Sequence, residues 1–429
     1  MNWFNSLTAW LRPGRSKPRL LGGPVPVPRL QRIRVNSKIP RFSGAATESE
    51  PSIAANAPQV SRLSLAFTPA QPVSDLRRFA GRAGLLEQMI RTIEDRRMHV
   101  VVHGDRGIGK TSLLHILTLL AREARYLVRY TSCSEDSEFD EVFRAAAEGI
   151  PILYHRDYDP TSPEAEKGLT LADTLGNRPL TPTSLSEAFA KLAGTRILLI
   201  LDEFDRASSP TFRKNIAELI KNLSDRSARV QIVIGGVAPN LAELIEYIPS
   251  IRRNILGIPV GPMADEELLQ IVANAEAIAK FSFDTNAQAA LLAAGNGSPY
   301  QVNLIGQIAA RGALTRSSND ITADDVRVAV TQVEGELRSR LSPPALKQLA
   351  ALQTSLSADM LRGIGRHSQH SFGSLLPHQN EAVTSALRKT GDESWWNEAG
   401  EFRFCDDSIP VILWLSDPGH SREVRAIAS

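Results

Sequence analysis

Along the chain of 429 residues, apolar and polar positions fall into two regimes. Between residues 98 and 260, short aliphatic runs alternate with stretches of helical spacing. Val100, Val101 and Val102 centre a run over 98–103, and a second covers 126–130. Aliphatic residues fill 197–201, Val230, Ile232, Val233 and Ile234 mark 229–236, and 255–260 closes the series. Runs of this length, with no polar alternation, read as strands buried on both faces. Between them lie Leu113, Leu114, Ile116, Leu117 and Leu120 at helical spacing over 112–123, a helix at 139–148, one capped by Thr183 or Ser184 and running through Leu192, and one at 241–247. Another amphipathic helix, carrying Leu85, Leu86, Met89, Ile90 and Ile93, precedes the first strand. Strands alternating with helices predict an α/β fold, doubly wound around a parallel five-stranded core.

From residue 264 the pattern becomes helical only, with four helices expected at 266–280, 286–294, 299–314 and 322–337. Segment 338–429 reads as a separate small domain. Helices at 344–352, 358–364 and 379–389 precede an alternating stretch, 395–404, that turns at Glu398-Ala399-Gly400-Glu401. Three helices and a hairpin are the parts of a winged helix. Residues 150–182, punctuated by prolines, predict a long insertion or loop. Residues 1–75 read as a basic, Pro-rich and largely unstructured tail. The expected domains are therefore 1–75, 76–262, 263–337 and 338–429.

Charge modifies this picture only locally. The net charge of +2 argues against a wholly basic nucleic-acid binder, yet the first 60 residues hold nine Lys or Arg against two acidic residues. Trp3, Phe4, Leu7, Trp10 and Leu11 share one helical face just before that basic stretch. Such a face within residues 1–20 fits contact with a membrane surface or a partner, or a tail that packs on its own protein. Only Cys133 and Cys405 are present, so a disulfide scaffold and a Cys-rich metal site are both excluded. No apolar run reaches bilayer length, and the N-terminus lacks the order of a signal peptide. A cytoplasmic location is expected.

Candidate chemistry concentrates after the first strand. Gly104-Asp105-Arg106-Gly107-Ile108-Gly109-Lys110-Thr111 lies between a strand and a helix, the context that makes this pattern a P-loop. Gly104 and Gly109 let the backbone wrap a polyphosphate, with N–H groups and a helix N-terminus aimed at the anion. Asp105, Arg106, Gly107, Ile108 and Ser112 complete the expected cradle. Lys110 is expected on the β- and γ-phosphates and Thr111 on Mg²⁺. The aliphatic run at 197–201 ends in Asp202-Glu203, the form of a Walker B motif. There Asp202 orients Mg²⁺ and Glu203 polarises the attacking water. ATP and Mg are the expected cofactors, with ATP hydrolysis as the expected reaction.

Three further motifs carry a family resemblance over roughly residues 76–335. Phe79-Ala80-Gly81-Arg82 resembles the F-x-G-R box of AAA+ proteins of the origin-recognition and cell-division-control type and of STAND ATPases. Leu201-Asp202-Glu203-Phe204-Asp205 resembles their Walker B ending, and Gly297-Ser298-Pro299-Tyr300 resembles their sensor 2 motif. The resemblance implies that the four-helix set is a lid clamping nucleotide against the sheet. It places Phe79, Gly81 and Arg82 close to adenine, and Pro299 and Tyr300 on the lid side. It also places Arg252 and Arg253 near the position of an arginine finger, which acting in trans implies a nucleotide-dependent homo-oligomer; the alternative is that they make ordinary surface pairs. Two departures stand out: Gly235-Gly236 occupies the sensor 1 position, and Tyr300 replaces the usual sensor 2 Arg. Slow turnover, with nucleotide used as a switch on a protein partner, follows from these departures. The alternative is an initiator- or loader-like protein that binds DNA through the winged helix. In that helix Gln379, Thr384, Arg388 and Lys389 face a groove, but beside Glu381 they are few for phosphate neutralisation. His367, His370 and His378 lack partners at zinc spacing and are expected in the winged-helix region beside Arg362 and Arg366.

Overall fold

The computed structural model describes residues 59–238, 240–241, 251, 253–370, 374–375, 381–388, 392–397 and 400–416. The aromatic segment within 1–20, most of the expected helix at 241–247, Arg252, His378, Gln379, Lys389, Glu398 and Ala399 lie outside these residues.

Five strands, β1 (His99–Gly104), β2 (Leu127–Ser132), β3 (Ile197–Asp202), β4 (Val230–Val237) and β5 (Ile255–Val260), form one parallel sheet ordered β2-β3-β4-β1-β5. Every residue of β1 and β3 is buried. The reason is the alternation of side chains across a sheet covered on both faces. Val100, Val102, Leu198 and Ile200 join one core with α2 (Ala83–Glu94) and α3 (Lys110–Glu123). Val101, Leu199 and Leu201 join the opposite core with α4 (Phe139–Glu148) and two later helices. Val233 of β4 pairs with Val100 on one side and Ile200 on the other. That register carries the ends of β1 and β3 to the same edge, with β4 between them.

Residues 150–182 are more ordered than a loop. Two single-turn helices, α5 (Pro163–Glu166) and α6 (Leu171–Thr174), occur there, and Ile152 and Leu171 are buried. The next helix, α7 (Pro182–Ala190), begins earlier than its expected cap. Thr181 is the N-cap and Ser184 sits at the third helical position, so Thr183 caps nothing. Beyond β3, α8 (Pro210–Asp225) completes the second face through Phe212, Ile216 and Ile220.

The four expected helices form a bundle: α9 (Asp265–Ala279), α10 (Thr285–Gly295), α11 (Pro299–Thr315) and α12 (Ala323–Ser339). Their core is completed from both ends of the chain. Residues 59–75, expected in an unstructured tail, begin with α1 (Gln59–Ala66), whose Leu63 is buried, and Phe67 just after it is fully buried. Phe67 stacks on Phe281 at 5.9 Å and meets Phe283 edge-on at 6.4 Å. An eight-residue helix between prolines has too short a period to read, and tertiary packing stabilises it. From the other end, α13 (Pro343–Ser355), α14 (Ala358–Ser368), α15 (Glu381–Arg388) and α16 (Ser408–Leu415) follow the bundle, and Trp414 and Leu415 of α16 enter its core. The expected hairpin at 395–404 is altered. Residues Glu393–Trp395 form a 3₁₀ turn, Trp396 bridges Phe402, and Phe402–Arg403 pairs antiparallel with Ser374–Leu375. Among the described residues no helix is long and apolar enough to cross a membrane.

One buried polar group fastens the sheet to α8. His99 Nδ1 accepts from the Ile232 N–H at 2.9 Å, leaving Nε2 to donate to Ser224 Oγ at 3.2 Å. Burial pushes the imidazole down from 6.5 to about 4. Between those values the unfolded chain binds a proton that the folded chain does not, so stability falls as pH drops from about 6.5 to about 4. Each unit of that depression carries about 1.4 kcal/mol. Urea unfolding across this window is expected to show a slope shallower by close to one proton in His99→Gln. An unchanged slope would show that His99 is not the group responsible.

Candidate functional site

The P-loop grows from the carboxyl end of β1. A Cβ on Gly104 would stand 2.3 Å from the Val260 carbonyl of β5, so only glycine lets these backbones close. Gly109, with φ +97°, is the N-cap of α3, and the residues that follow begin the helix. Lys110 is 8% exposed, and its Nζ donates to the carbonyls of Gly104 at 3.0 Å and Asp105 at 2.7 Å. Burial lowers its pKa, while the nearby charges of Asp205, Asp105 and Asp202 oppose that shift. Among the described residues no carboxylate oxygen bonds this ammonium directly. Arg106 pairs instead with Asp407 near the C-terminal end at 3.3 Å, through side chains that are mostly exposed. Such a pair contributes little stability.

The end of β3 is fixed from several sides. Asp202 is 2% exposed. Its Oδ2 accepts from Tyr130 Oη at 2.6 Å and its Oδ1 from the Glu203 N–H at 2.8 Å. Glu203 adopts a left-handed backbone with φ +53°. Its Oε2 accepts from Arg206 at 2.7 Å and from Ser132 Oγ at 2.9 Å. Arg206, and then Ser132, hold the carboxyl below its usual range against the effect of burial. Asp205 accepts from the Val237 N–H at 2.7 Å and thereby fixes the end of β4.

Between this edge and the helical bundle opens a cleft of about 310 Å³. Phe79, Arg82, Gly107, Ile108, Gly109, Lys110, Thr111, Ser112, Pro299 and Tyr300, singled out separately in the sequence, all line it. Gly81, Gly104, Asp105 and Arg106 flank the cleft without lining it, and Asp202 and Glu203 lie at the neighbouring strand end. Arg253 sits apart. The adjacent Asn254 carbonyl accepts from the His99 N–H, so Arg253 lies at the start of β1. The P-loop is at the other end of that strand, and six residues of strand span about 20 Å.

Several contributors escaped the sequence reading. Residues 68–73 form one wall of the cleft, and the Val73 N–H donates to Ser112 Oγ at 3.0 Å. The F-x-G-R segment is held by polar side chains of α9. Glu267 accepts from the Arg82 N–H at 2.7 Å, Gln270 from the Gly81 N–H at 3.0 Å, and Asn274 donates to the Phe79 carbonyl at 3.4 Å. Their spacing of three and then four residues puts them on one helical face, a signal visible in retrospect. The Thr111 hydroxyl and the Asp202 carboxylate offer hard oxygen donors of the kind Mg²⁺ takes, and each Asp202 oxygen keeps a lone pair beyond the bond it accepts.

Fold and site together define a P-loop NTPase. The family model Novel STAND NTPase 1 (nSTAND1) matches residues 67–368, and the chain belongs to that family. Among solved structures, the chain is similar to the ORC2 protein of Aeropyrum pernix in its ADPNP–ADP complexes, at 15% identity and a TM-score of 0.48, covering 85% of this chain and 98% of that one. It is also similar to Cdc6p from Pyrobaculum aerophilum, at 14% identity and a TM-score of 0.44, covering 85% and 99%. A third is the RuvB Holliday junction branch migration motor of Thermotoga maritima, at 15% identity and a TM-score of 0.42, covering 78% and 95%. No curated protein matches the chain.

The Ser112–Val73 bond gives a direct test of the cleft wall. Ser112→Ala removes the acceptor, and loss of one such bond is worth about 1 kcal/mol, so amide exchange at Val73 should rise roughly fivefold. Ser112→Thr, which keeps a hydroxyl, should leave it near the parent value. Equal exchange in the parent and the Ala variant would mean that the wall is held by other contacts.

Proposed function

We propose that the protein is an ATP-binding, Mg-dependent switch that hydrolyses ATP slowly and acts on a protein partner. One observation carries the reading: a single cleft gathers the P-loop, the F-x-G-R segment, the wall at 68–73 and the start of α11. A triphosphate bound there touches parts of the sheet region (76–262) and of the lid (263–337) at once. Ligand at 100 times its dissociation constant stabilises the bound arrangement by roughly 2.7 kcal/mol, enough to bias a poised equilibrium between two arrangements.

In this reading the phosphates lie along 104–112, with Lys110 leaving its loop carbonyls for the β- and γ-phosphates. Thr111 and Asp202 hold Mg²⁺, which neutralises charge on the phosphate oxygens. Phe79, Gly81 and Arg82 stand on the adenine side, and Pro299 and Tyr300 close the lid side. Glu203 orients water once its ion pair with Arg206 opens. Arg253 serves another copy of the chain, in an oligomer formed with nucleotide, because its own cleft is a strand length away. The segment 338–429 is the output module. Its Arg388 is stacked over Trp396 at 5.0 Å, a contact that favours a structural over a groove-reading role for this cation.

Lys110→Ala is expected to abolish ATP binding in calorimetry. Glu203→Gln should retain binding and lower turnover by about 10²-fold or more, the usual scale for general-base loss. Undiminished affinity in the first variant would contradict the phosphate role, and undiminished turnover in the second would remove Glu203 from the reaction.

A further inference from the structure

Asp202 stands on β3 between two neighbours of opposite character. On the β2 side, Tyr130 pairs in register with Ile200, so its side chain lies on the face that Asp202 shares, the face covered by α3. From there its hydroxyl reaches Asp202 Oδ2 at 2.6 Å. On the β4 side there is no side chain at all. A Cβ on Gly235 would stand 2.7 Å from Asp202 Oδ1 and 2.6 Å from Leu114 Cδ1. The carboxylate therefore fills the room that a residue at 235 would need. Tyr130 is itself braced by α3: the His115 ring meets it edge-on, with centroids 5.0 Å apart. His115 is four residues beyond Thr111 and so on the same face of that helix. His115, Tyr130 and Asp202 form a chain of contacts from the P-loop helix through β2 to the tip of β3.

We infer that Tyr130 is the positioning residue for the Asp202 carboxylate, and that the missing side chain at Gly235 is the space this arrangement requires. The inference rests on the proposed Mg·nucleotide reading and deepens it. A carboxylate that orients a cation through water works only while its own direction is fixed, and outer partners of metal-binding groups commonly set affinity for the ion. Tyr130 supplies a neutral donor, so it fixes Asp202 without cancelling its charge. The Glu203 N–H fixes the other oxygen. With both oxygens held, a polar residue on β4 has no place, and glycine there is a consequence rather than a deficit.

The test is a Mg²⁺ titration of ADP-induced thermal stabilisation of the full chain, with the ADP response in EDTA and the ligand-free melting temperature as companions. Tyr130→Phe is expected to raise the Mg²⁺ concentration for half effect roughly 10-fold while leaving the EDTA response unchanged. Gly235→Ala is expected to act in the same direction by displacing Asp202. The double variant should lose less than the sum, since both act on one carboxylate. A Mg²⁺ half-effect unchanged in Tyr130→Phe, or an EDTA response lost in equal measure, would overturn the inference. Absence of any Mg²⁺-dependent ADP response in the parent chain would instead remove the nucleotide reading itself.

Discussion

A positive charge kept at the carboxyl edge of a buried parallel sheet is the constraint on which the rest of this molecule depends. Lys110 opens α3 and is 8% exposed, where an ammonium is unstable unless negative groups surround it. Among the described residues no side chain bonds it directly; two backbone carbonyls do, with three carboxylates acting at longer range. That arrangement needs the ends of β1 and β3 at the same edge, which the register through β4 supplies. It also needs Asp202 and Asp205 held firmly, and the bonds from Tyr130, the Glu203 amide and the Val237 amide do so.

The lid is joined to this edge by a different kind of contact. Sheet and lid have largely separate apolar cores, and the F-x-G-R segment crosses between them. Glu267, Gln270 and Asn274 bind its backbone rather than its side chains, so the contact is set by main-chain geometry. Polar joints of this sort part at lower cost than an apolar core, as interfaces between domains do. The residues 68–73 bind the α3 end of the same cleft through Ser112, while Phe67 is packed in the lid core. A ligand in the cleft therefore meets groups attached to both bodies.

What could be read from the chain was whatever is local. The P-loop and the Walker B strand carry their chemistry within eight or so consecutive residues, and the lid helices announce themselves by period. Tyr130 was illegible because its partner is 72 residues away and only the β2–β3 register reveals the pair. The helix at Gln59–Ala66 gave no periodic signal, since the burial of Leu63 and Ala66 is decided by the distant bundle core that they join. Glu267, Gln270 and Asn274 were visible as polar residues on an apolar helix, yet nothing local says that they face another domain. Helix α16 was missed for the opposite reason: Ser408–Leu415 is apolar almost all round, and such a segment reads as strand or helix alike until its neighbours on two sides are known.

The sensor departures acquire a physical sense from the same geometry. Gly235 cannot be polar where Asp202 already fills the space, and Tyr300, 41% exposed, brings a ring but no cation to the lid side. Among the described residues, Lys110, Arg82 and Arg78 are the cations that line the cleft; Arg82 donates to the Gly261 carbonyl and Arg78 to Thr68 Oγ1. In the proposed reading, charge developing on a γ-phosphate meets Lys110 from the P-loop, while Arg82 and Arg78 are bonded elsewhere. Glu203 meanwhile starts from an ion pair with Arg206, which stabilises its charge and weakens it as a base. In the proposed reading, a site built this way holds a triphosphate longer than it cleaves it. In the proposed reading faster cleavage requires an added cation, and Arg253, at the far end of β1, is too distant to supply it to its own cleft.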